Sequence, residues 1–290
     1  MKKKITLILL CVLCVFVMLG VAKGCHAKTK KTEDKVVFSW RSSAIENKGK
    51  ELFAVLKKAG ANTVYQTISA DADDKTVKDF LKNAYKNGVS VYMLEGDADW
   101  SLEYRKAPYV DALNRIERYN KLVKKKYRIK GVVFDVEPYT LDEWDEQKDD
   151  MMYNYVESMK KTYKVAKKKK LSMVACIPYF YEEKGMKKEL IDLIKNGCSE
   201  VAVMNYYRKN ENKHIKTEAQ YTRKYKKRLI NVYEFNPPGK YGLIDINTYY
   251  DKGLKTANKN FKKIKKYYKK QEVIMGLHDA EILKELITVE

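Results

Sequence analysis

Short apolar segments alternate with amphipathic helical segments along most of this chain, and this alternation limits the folds that the chain can adopt. The apolar segments are rich in β-branched and aromatic residues and have the length of buried strands. Eight such segments predict parallel strands joined by helices, and therefore an α/β domain with the closed (β/α)8 barrel, or TIM barrel, fold. The predicted strands are 36–40, 62–68, 89–96, 131–139, 171–180, 200–207, 229–236 and 272–279.

An open, doubly wound sheet is the structural alternative. The chain has no glycine-rich phosphate-binding loop between a predicted strand and helix, so the closed barrel is favoured. Beyond the first 27 residues the chain contains only two cysteines, Cys176 and Cys198, and neither these nor the histidines have metal-ligand spacing. We therefore expect no cofactor and no metal site, with Cys176 as a small core residue.

The first 27 residues have the features of an export segment. Three lysines, Lys2 to Lys4, precede an apolar run of 17 residues from Ile5 to Val21. This length is at the short limit for a membrane span, and the small residues before Lys28 permit cleavage after Ala27. The expected organisation is a signal peptide or N-terminal membrane anchor at 1–27, a linker at 28–35 and the barrel domain at 36–290.

The formal net charge is +21, because 59 lysines and arginines outnumber 38 acidic residues. Many bases lie at the ends of predicted outer helices, for example in 121–130 and 165–170. The export segment argues against a nucleic-acid partner. We expect an exported protein, extracellular or at the cell surface, that is attracted to anionic cell-wall polymers or lipid head groups. A lysine-rich surface that is simply solvated is the alternative.

The segment GVVFDVEPY, from Gly131 to Tyr139, places two carboxylates at the end of an apolar strand. Val133, Asp135 and Glu137 alternate with apolar residues, so the two acids share one face of the strand. A carboxylate pair at such a position is costly unless a ligand or a reaction requires it. Asp135 and Glu137 are therefore the first candidates for catalytic residues.

The ends of the other predicted strands carry acidic and aromatic residues, and a barrel brings these ends together. Tyr206 shares a strand face with Met204, and Glu234 shares one with Val232, so both are expected to point into the same mouth as the acid pair. Carboxylates flanked by aromatic rings suit a sugar ligand. The expected substrate-binding residues are Trp40, Glu95, Asp97, Tyr139, Tyr179, Asn205 and Asp279. For His278, a packed or helix-capping role is favoured over a place in the mouth.

The segment around Glu137 resembles the strand-four signature of family 18 glycoside hydrolases, the chitinase-like barrels. Gly131 matches the glycine of that signature, Asp135 its last aspartate and Glu137 its catalytic glutamate. Met204-Asn205-Tyr206 resembles the Met-x-Tyr of strand six in that family. The resemblance implies that Glu137 is the general acid and that the N-acetyl group of the substrate attacks, oriented by Asp135 and Tyr206. Val133 and Lys130 stand where the signature has further aspartates.

A second resemblance concerns the large clan of retaining glycosidases. Val136-Glu137-Pro138 is similar to the Asn-Glu-Pro end of strand four in that clan, with valine in place of asparagine. The clan's nucleophile is a glutamate on strand seven, which Glu234 would match. Both resemblances give Glu137 the same role, and they differ in the nucleophile.

These observations predict an exported glycoside hydrolase-like protein that cleaves a polysaccharide or other glycan of the cell envelope or extracellular space. The alternative is a barrel that binds glycans or supports envelope assembly without cleaving them. The replacement of two signature aspartates by Val133 and Lys130 favours this alternative.

Overall fold

A computed structural model describes residues 34–103 and 107–289. Eight parallel strands follow one another in sequence order around a closed barrel, and β8 pairs with β1 to complete it. The predicted (β/α)8 barrel is confirmed, whereas the export segment lies outside the described residues. The strands are β1 Lys35–Ser39, β2 Thr63–Gln66, β3 Ser90–Glu95, β4 Gly131–Phe134, β5 Ser172–Pro178, β6 Glu200–Met204, β7 Arg228–Glu234 and β8 Val273–His278.

Helices on the outside of the barrel connect the strands. Asp73 begins the helix Asp74–Lys86 by accepting a hydrogen bond from the backbone N–H of Thr76, and Gly60 ends the helix Lys50–Ala59 in a left-handed conformation, as helix-capping chemistry predicts. None of the helices in the described part combines the length and apolar character that crossing a membrane requires. The helices are α1 Lys50–Ala59, α2 Asp74–Lys86, α3 Ala107–Lys121, α4 Trp144–Lys168, α5 Lys187–Asp192, α6 Glu211–His214, α7 Lys216–Lys224, α8 Gly253–Tyr267 and α9 Ala280–Val289.

The buried side chains form two groups, one inside the barrel and one between the barrel and its helices. Val133, Met204 and Val232 belong to the inner group, which confirms the side on which the strand alternation was expected to place them. Tyr206 packs against this inner group. Side chains two positions apart on a strand point to the same side. Asp135, Tyr206 and Glu234, each two positions after one of these three residues, are therefore directed to the interior.

Two glycines allow the neighbouring strands to approach β4 closely. A Cβ atom at Gly131 would lie 2.2 Å from the carbonyl oxygen of Ser172, and one at Gly96 would lie 1.9 Å from that of Asp135. The N–H of Asp135 donates to the carbonyl oxygen of Glu95 at 2.8 Å, so the pairing of β4 with β3 extends one residue beyond Phe134. Close backbone packing therefore fixes the position of Asp135.

Candidate active site

Asp135 lies at the inner end of the site, where β4 leaves the barrel. Its side chain is only 7% exposed, and the thiol of Cys176 on β5 is within hydrogen-bonding reach. Within the described residues, its Oδ1 atom has no hydrogen-bond partner. Burial, and then the nearby charge of Glu137, raise the pKa of Asp135 from 3.8 to about 7. A buried carboxyl group in this state can hold a proton at neutral pH.

Glu137 follows two residues later and is half-buried at the mouth. The backbone carbonyl of Glu137 accepts two hydrogen bonds from Thr140, one from its N–H at 3.0 Å and one from its side-chain hydroxyl at 2.8 Å. These bonds fix the turn that Pro138 begins. The hydroxyl of Tyr139 donates to Oε2 of Glu137. The carboxyl group is thus held in place while remaining accessible from the mouth.

Two further tyrosines surround the carboxyl pair. Burial, followed by nearby charges that include those of Glu234, Asp135 and Glu137, raises the pKa of Tyr206. Tyr206 therefore lies within electrostatic reach of each of these three carboxylates. Burial and the charges of Glu137 and Asp135 also raise the pKa of Tyr181. Within the described residues, the buried hydroxyl of Tyr181 has no hydrogen-bond partner. The structure therefore brings together all four residues that were predicted to be catalytic.

Glu234, the last residue of β7, is 3% exposed and makes several hydrogen bonds. Its Oε1 atom accepts from the backbone N–H groups of Phe235 and Asn236, each at 2.7 Å, and from the side-chain amide of Asn236 at 2.8 Å. Its Oε2 atom lies 2.9 Å from Nδ1 of His278, its register partner on β8. Burial acts to raise the pKa of Glu234, but the charge of His278 and these donors outweigh burial and lower it. Glu234 is therefore an ionised carboxylate held in a fixed orientation.

His278 connects Glu234 to Trp40 across the closure of the barrel. The indole N–H of Trp40 donates to Nε2 of His278 at 3.0 Å. Burial acts to lower the pKa of His278, but the charge of Glu234 raises it to about 9. The Trp40 contact opposes this increase, because Nε2 accepts a hydrogen bond only when it is unprotonated. In the neutral form of the ring, the proton therefore lies on Nδ1 and is directed at Glu234.

Sequence reasoning favoured a packed or capping role for His278, and the structure instead places it in this network. Ile274, Gly276 and His278 share the inner face of β8, and that alternation is the signal that could have identified it. Asn236 also belongs to the network, since its side-chain amide donates to Oε1 of Glu234 at 2.8 Å. The ammonium group of Lys240 in turn donates to Oδ1 of Asn236 at 2.7 Å. No sequence pattern identifies Asn236 as a site residue.

Aromatic side chains line the rim on the side of β4 to β6. The ring of Tyr139 meets that of Phe180 edge to face, with 5.0 Å between centroids. The ring of Tyr179 stacks on His214, with centroids 4.6 Å apart, and lies 6.5 Å from that of Tyr207. Of the predicted binding residues, Tyr139 contacts Glu137 directly, Trp40 reaches Glu234 through His278, and Tyr179 belongs to this outer rim.

The remaining predicted binding residues have structural partners elsewhere. Glu95 forms an ion pair with Arg115 of α3, on the strand face opposite to Leu94 and therefore outside the barrel. Asn205 is buried behind β6, where its amide donates to Oδ1 of Asn231 at 2.8 Å and to the carbonyl oxygen of Glu211 at 2.9 Å. These contacts keep Glu95 and Asn205 away from the mouth.

The two predicted aspartates begin helical turns. Asp97 is exposed and accepts a hydrogen bond from the N–H of Asp99 at 3.0 Å, at the start of a short 3-10 helix. Asp279 is buried and accepts from the N–H groups of Glu281 at 2.9 Å and Ile282 at 3.3 Å, so it caps α9. Both carboxylates therefore cap helical turns.

Among residues 34–103 and 107–289, no group of three or more ligating side chains could hold a metal ion.

No protein-family model and no curated protein sequence matches the chain. Similar solved structures include a chitinase from Bacteroides thetaiotaomicron, with 13% sequence identity and a TM-score of 0.51 over 83% of this chain and 89% of that chain. A GH20 catalytic module of the pneumococcal exo-β-D-N-acetylglucosaminidase StrH has 12% identity and a TM-score of 0.50 over 89% of this chain and 83% of that chain.

A calcium-binding mutant of β-glucuronidase 2 from Bacteroides uniformis has 11% identity and a TM-score of 0.51, and the match covers 85% of this chain and 30% of that chain. At these identities the similarity establishes the fold alone. The chain has a barrel of the kind found in chitinases and other glycoside hydrolases, and this part of the prediction is confirmed.

Proposed function

We propose that this protein is a glycoside hydrolase that cleaves an envelope or extracellular polysaccharide and uses Glu137 as its general acid. The observation that carries the proposal is the carboxyl pair at the end of β4. Asp135 is buried, its pKa is raised to about 7, and the charge of Glu137 contributes to that increase. A carboxyl pair in which the buried member has a raised pKa, surrounded by tyrosines at a barrel mouth, has the chemistry that glycosidic cleavage needs.

In the proposed mechanism, Glu137 donates a proton to the leaving glycosidic oxygen as the bond to the sugar breaks. The hydroxyl of Tyr139 orients the carboxyl group through Oε2. The charge of Glu137 contributes to the raised pKa of Asp135, so the pair can hold a proton at neutral pH. Asp135 and Tyr206 would then orient an N-acetyl group of the substrate, whose carbonyl oxygen attacks the anomeric carbon.

Glu234 is the nucleophile in the second mechanism. Its Oε1 atom already accepts three hydrogen bonds, so Oε2, next to His278, would have to attack. This saturation favours the first mechanism, in which Glu234 orients His278. The two mechanisms differ on a substrate without N-acetyl groups. Activity on deacetylated chitosan oligosaccharides that is lost in Glu234→Gln would support Glu234 as the nucleophile.

The proposed site of action is outside the cytoplasm. The support for this part is the sequence of residues 1–27, with three lysines followed by the apolar run from Ile5 to Val21. Fractionation of cells that express the full chain tests it. The protein should be found in the medium or with the membrane, and recovery in the cytoplasm would contradict the proposed localisation.

The decisive experiment measures the release of reducing ends from peptidoglycan and chitooligosaccharides. Wild-type protein should release them, and Glu137→Gln should be slower by about 10²- to 10⁴-fold, which is the usual contribution of a general acid. Glu95→Gln is the matched control, because Glu95 is a carboxylate of the neighbouring strand that points away from the mouth. Equal losses in the two variants would contradict the role of Glu137.

A non-catalytic glycan-binding protein is the second candidate. The observation that favours it is Val133, which is completely buried inside the barrel where the family 18 signature has an acidic residue. In this case neither wild type nor Glu137→Gln would release reducing ends, and both would be retained on the polysaccharide. If wild-type protein is retained on the polysaccharide and releases no reducing ends, the protein binds glycans and does not cleave them.

A further inference from the structure

A groove of about 770 Å³ lies on the helical shell, between α7 and the end of α8. Five cationic side chains line it, together with the rings of Tyr267 and Tyr268, and none of its lining residues is acidic. We call it the basic groove. Its cations are those of Lys216, Arg223, Lys224, Lys269 and Lys270.

The local sequence concentrates charge at this groove. From residue 253 to 271 the chain contains eight lysines and no aspartate or glutamate. Along α7, Thr217, Glu218 and Thr222 are buried, and this arrangement turns Lys216 and Arg223 outward. Within the described residues, Arg223, Lys224, Lys269 and Lys270 form no ion pair with a carboxylate. The positive charge of these four side chains is therefore not neutralised by an ion pair within the protein.

The groove continues past Tyr267 into a second depression. Tyr267 is 62% exposed and lines both the basic groove and a neighbouring depression of about 350 Å³. That depression includes Lys263 and also Arg208, whose guanidinium pairs with Asp245 at 2.7 Å. The carboxylate in this second depression, Glu211, is buried and accepts hydrogen bonds from the hydroxyls of Tyr233 and Tyr249. An exposed aromatic ring thus stands at the edge of the basic groove, beside its cationic side chains.

We propose that the basic groove binds an anionic polysaccharide and so holds the protein on its substrate-bearing surface. Lysine and arginine match the negative groups of such a polymer, and an exposed tyrosine ring can pack on the apolar face of a sugar. The groove lies outside the barrel, and its binding does not depend on the catalytic role proposed for Glu137. Glu137→Gln should therefore bind the polymer as wild type does.

The test compares two variants that lose four positive charges each. One variant changes Arg223, Lys224, Lys269 and Lys270 to glutamine, and the other changes Lys57, Lys58, Lys75 and Lys78, which are exposed on α1 and α2. Binding of the full chain to polygalacturonate is measured by biolayer interferometry at physiological salt, with neutral dextran as the blank. The groove variant should bind at least about tenfold more weakly than wild type, and the control variant should stay close to wild type.

Tyr267→Ala separates sugar recognition from charge. It should weaken binding to polygalacturonate while leaving binding to inorganic polyphosphate, which has no sugar face, unchanged. Equal losses in the groove and control variants would show attraction to the overall charge and overturn the proposal. Binding to duplex DNA that is tighter than to polygalacturonate, and lost in the groove variant, would also overturn it in favour of a nucleic-acid partner.

Discussion

The raised pKa of Asp135 predicts a pH-dependent cost to stability that the substitution Asp135→Asn removes. Below pH 3.8, the ordinary pKa of this carboxyl group, Asp135 is protonated in both folded and unfolded chains and costs nothing. Between pH 3.8 and about 7, the unfolded chain releases a proton that the folded protein keeps. The free energy of unfolding therefore falls over this range, and the full cost persists at higher pH.

The size of the cost follows from the shift. A rise from 3.8 to about 7 corresponds to roughly 4 kcal/mol, since one pKa unit is about 1.4 kcal/mol. The free energy of unfolding of wild type should therefore fall by about 4 kcal/mol relative to that of Asp135→Asn as the pH rises from about 4 to about 8. Comparing this difference at the two pH values cancels the effect of replacing the carboxyl group by an amide.

The assay is urea unfolding of both proteins, followed by tryptophan fluorescence and repeated across the pH range. Glu137→Gln provides an internal check, because the charge of Glu137 is the second cause of the shift, after burial. The pH dependence should become smaller in the Glu137→Gln background and should not disappear. A difference between wild type and Asp135→Asn that stays constant across the range would refute the reasoning.

Two further predictions concern the surroundings of the acid pair. Gly96→Ala places a Cβ atom 1.9 Å from the carbonyl oxygen of Asp135 and should lower the free energy of unfolding by about 1–3 kcal/mol or more, with loss of activity. Gly197→Ala is its control and should cost less in the same urea titration, because the new methyl meets the flexible end of Leu193. Trp40→Phe removes the donor to Nε2 and should raise the pKa of His278 by about one unit. Histidine NMR measures this shift among the three histidines of the chain, and an unchanged or lower pKa would contradict the assigned tautomer.

The sequence predicted the barrel well because each strand is short, apolar and followed by an amphipathic helix. All eight strands form where they were expected, although β4 ends at Phe134 and the acid pair lies just beyond it. Alternation also placed Tyr206 and Glu234 correctly, since Met204 and Val232 are buried inside the barrel. Two helices were not predicted: α6, which has only four residues, and α9, which lies after the last predicted strand.

The binding residues were predicted less well, because position at a strand end does not determine where a side chain points. Asn205 lies between Met204 and Tyr206, so the alternation that turns those two inward turns Asn205 outward. Both Met93 and Leu94 are apolar, and the sequence therefore did not reveal that Glu95 faces α3. The contact between Trp40 and His278 joins residues 238 positions apart and exists only because β8 closes on β1.

The central claim is that the residues at the barrel mouth form a single active site for glycosidic bond cleavage. Its most direct test is a crystal structure of Glu137→Gln with a bound N-acetylated chitooligosaccharide. We predict that a glycosidic oxygen lies within hydrogen-bonding distance, about 2.6–3.2 Å, of the side-chain amide nitrogen that this substitution introduces, with Tyr206 and Asp135 around the adjoining sugar. A well-ordered oligosaccharide bound elsewhere on the protein, with this mouth unoccupied, would contradict the account.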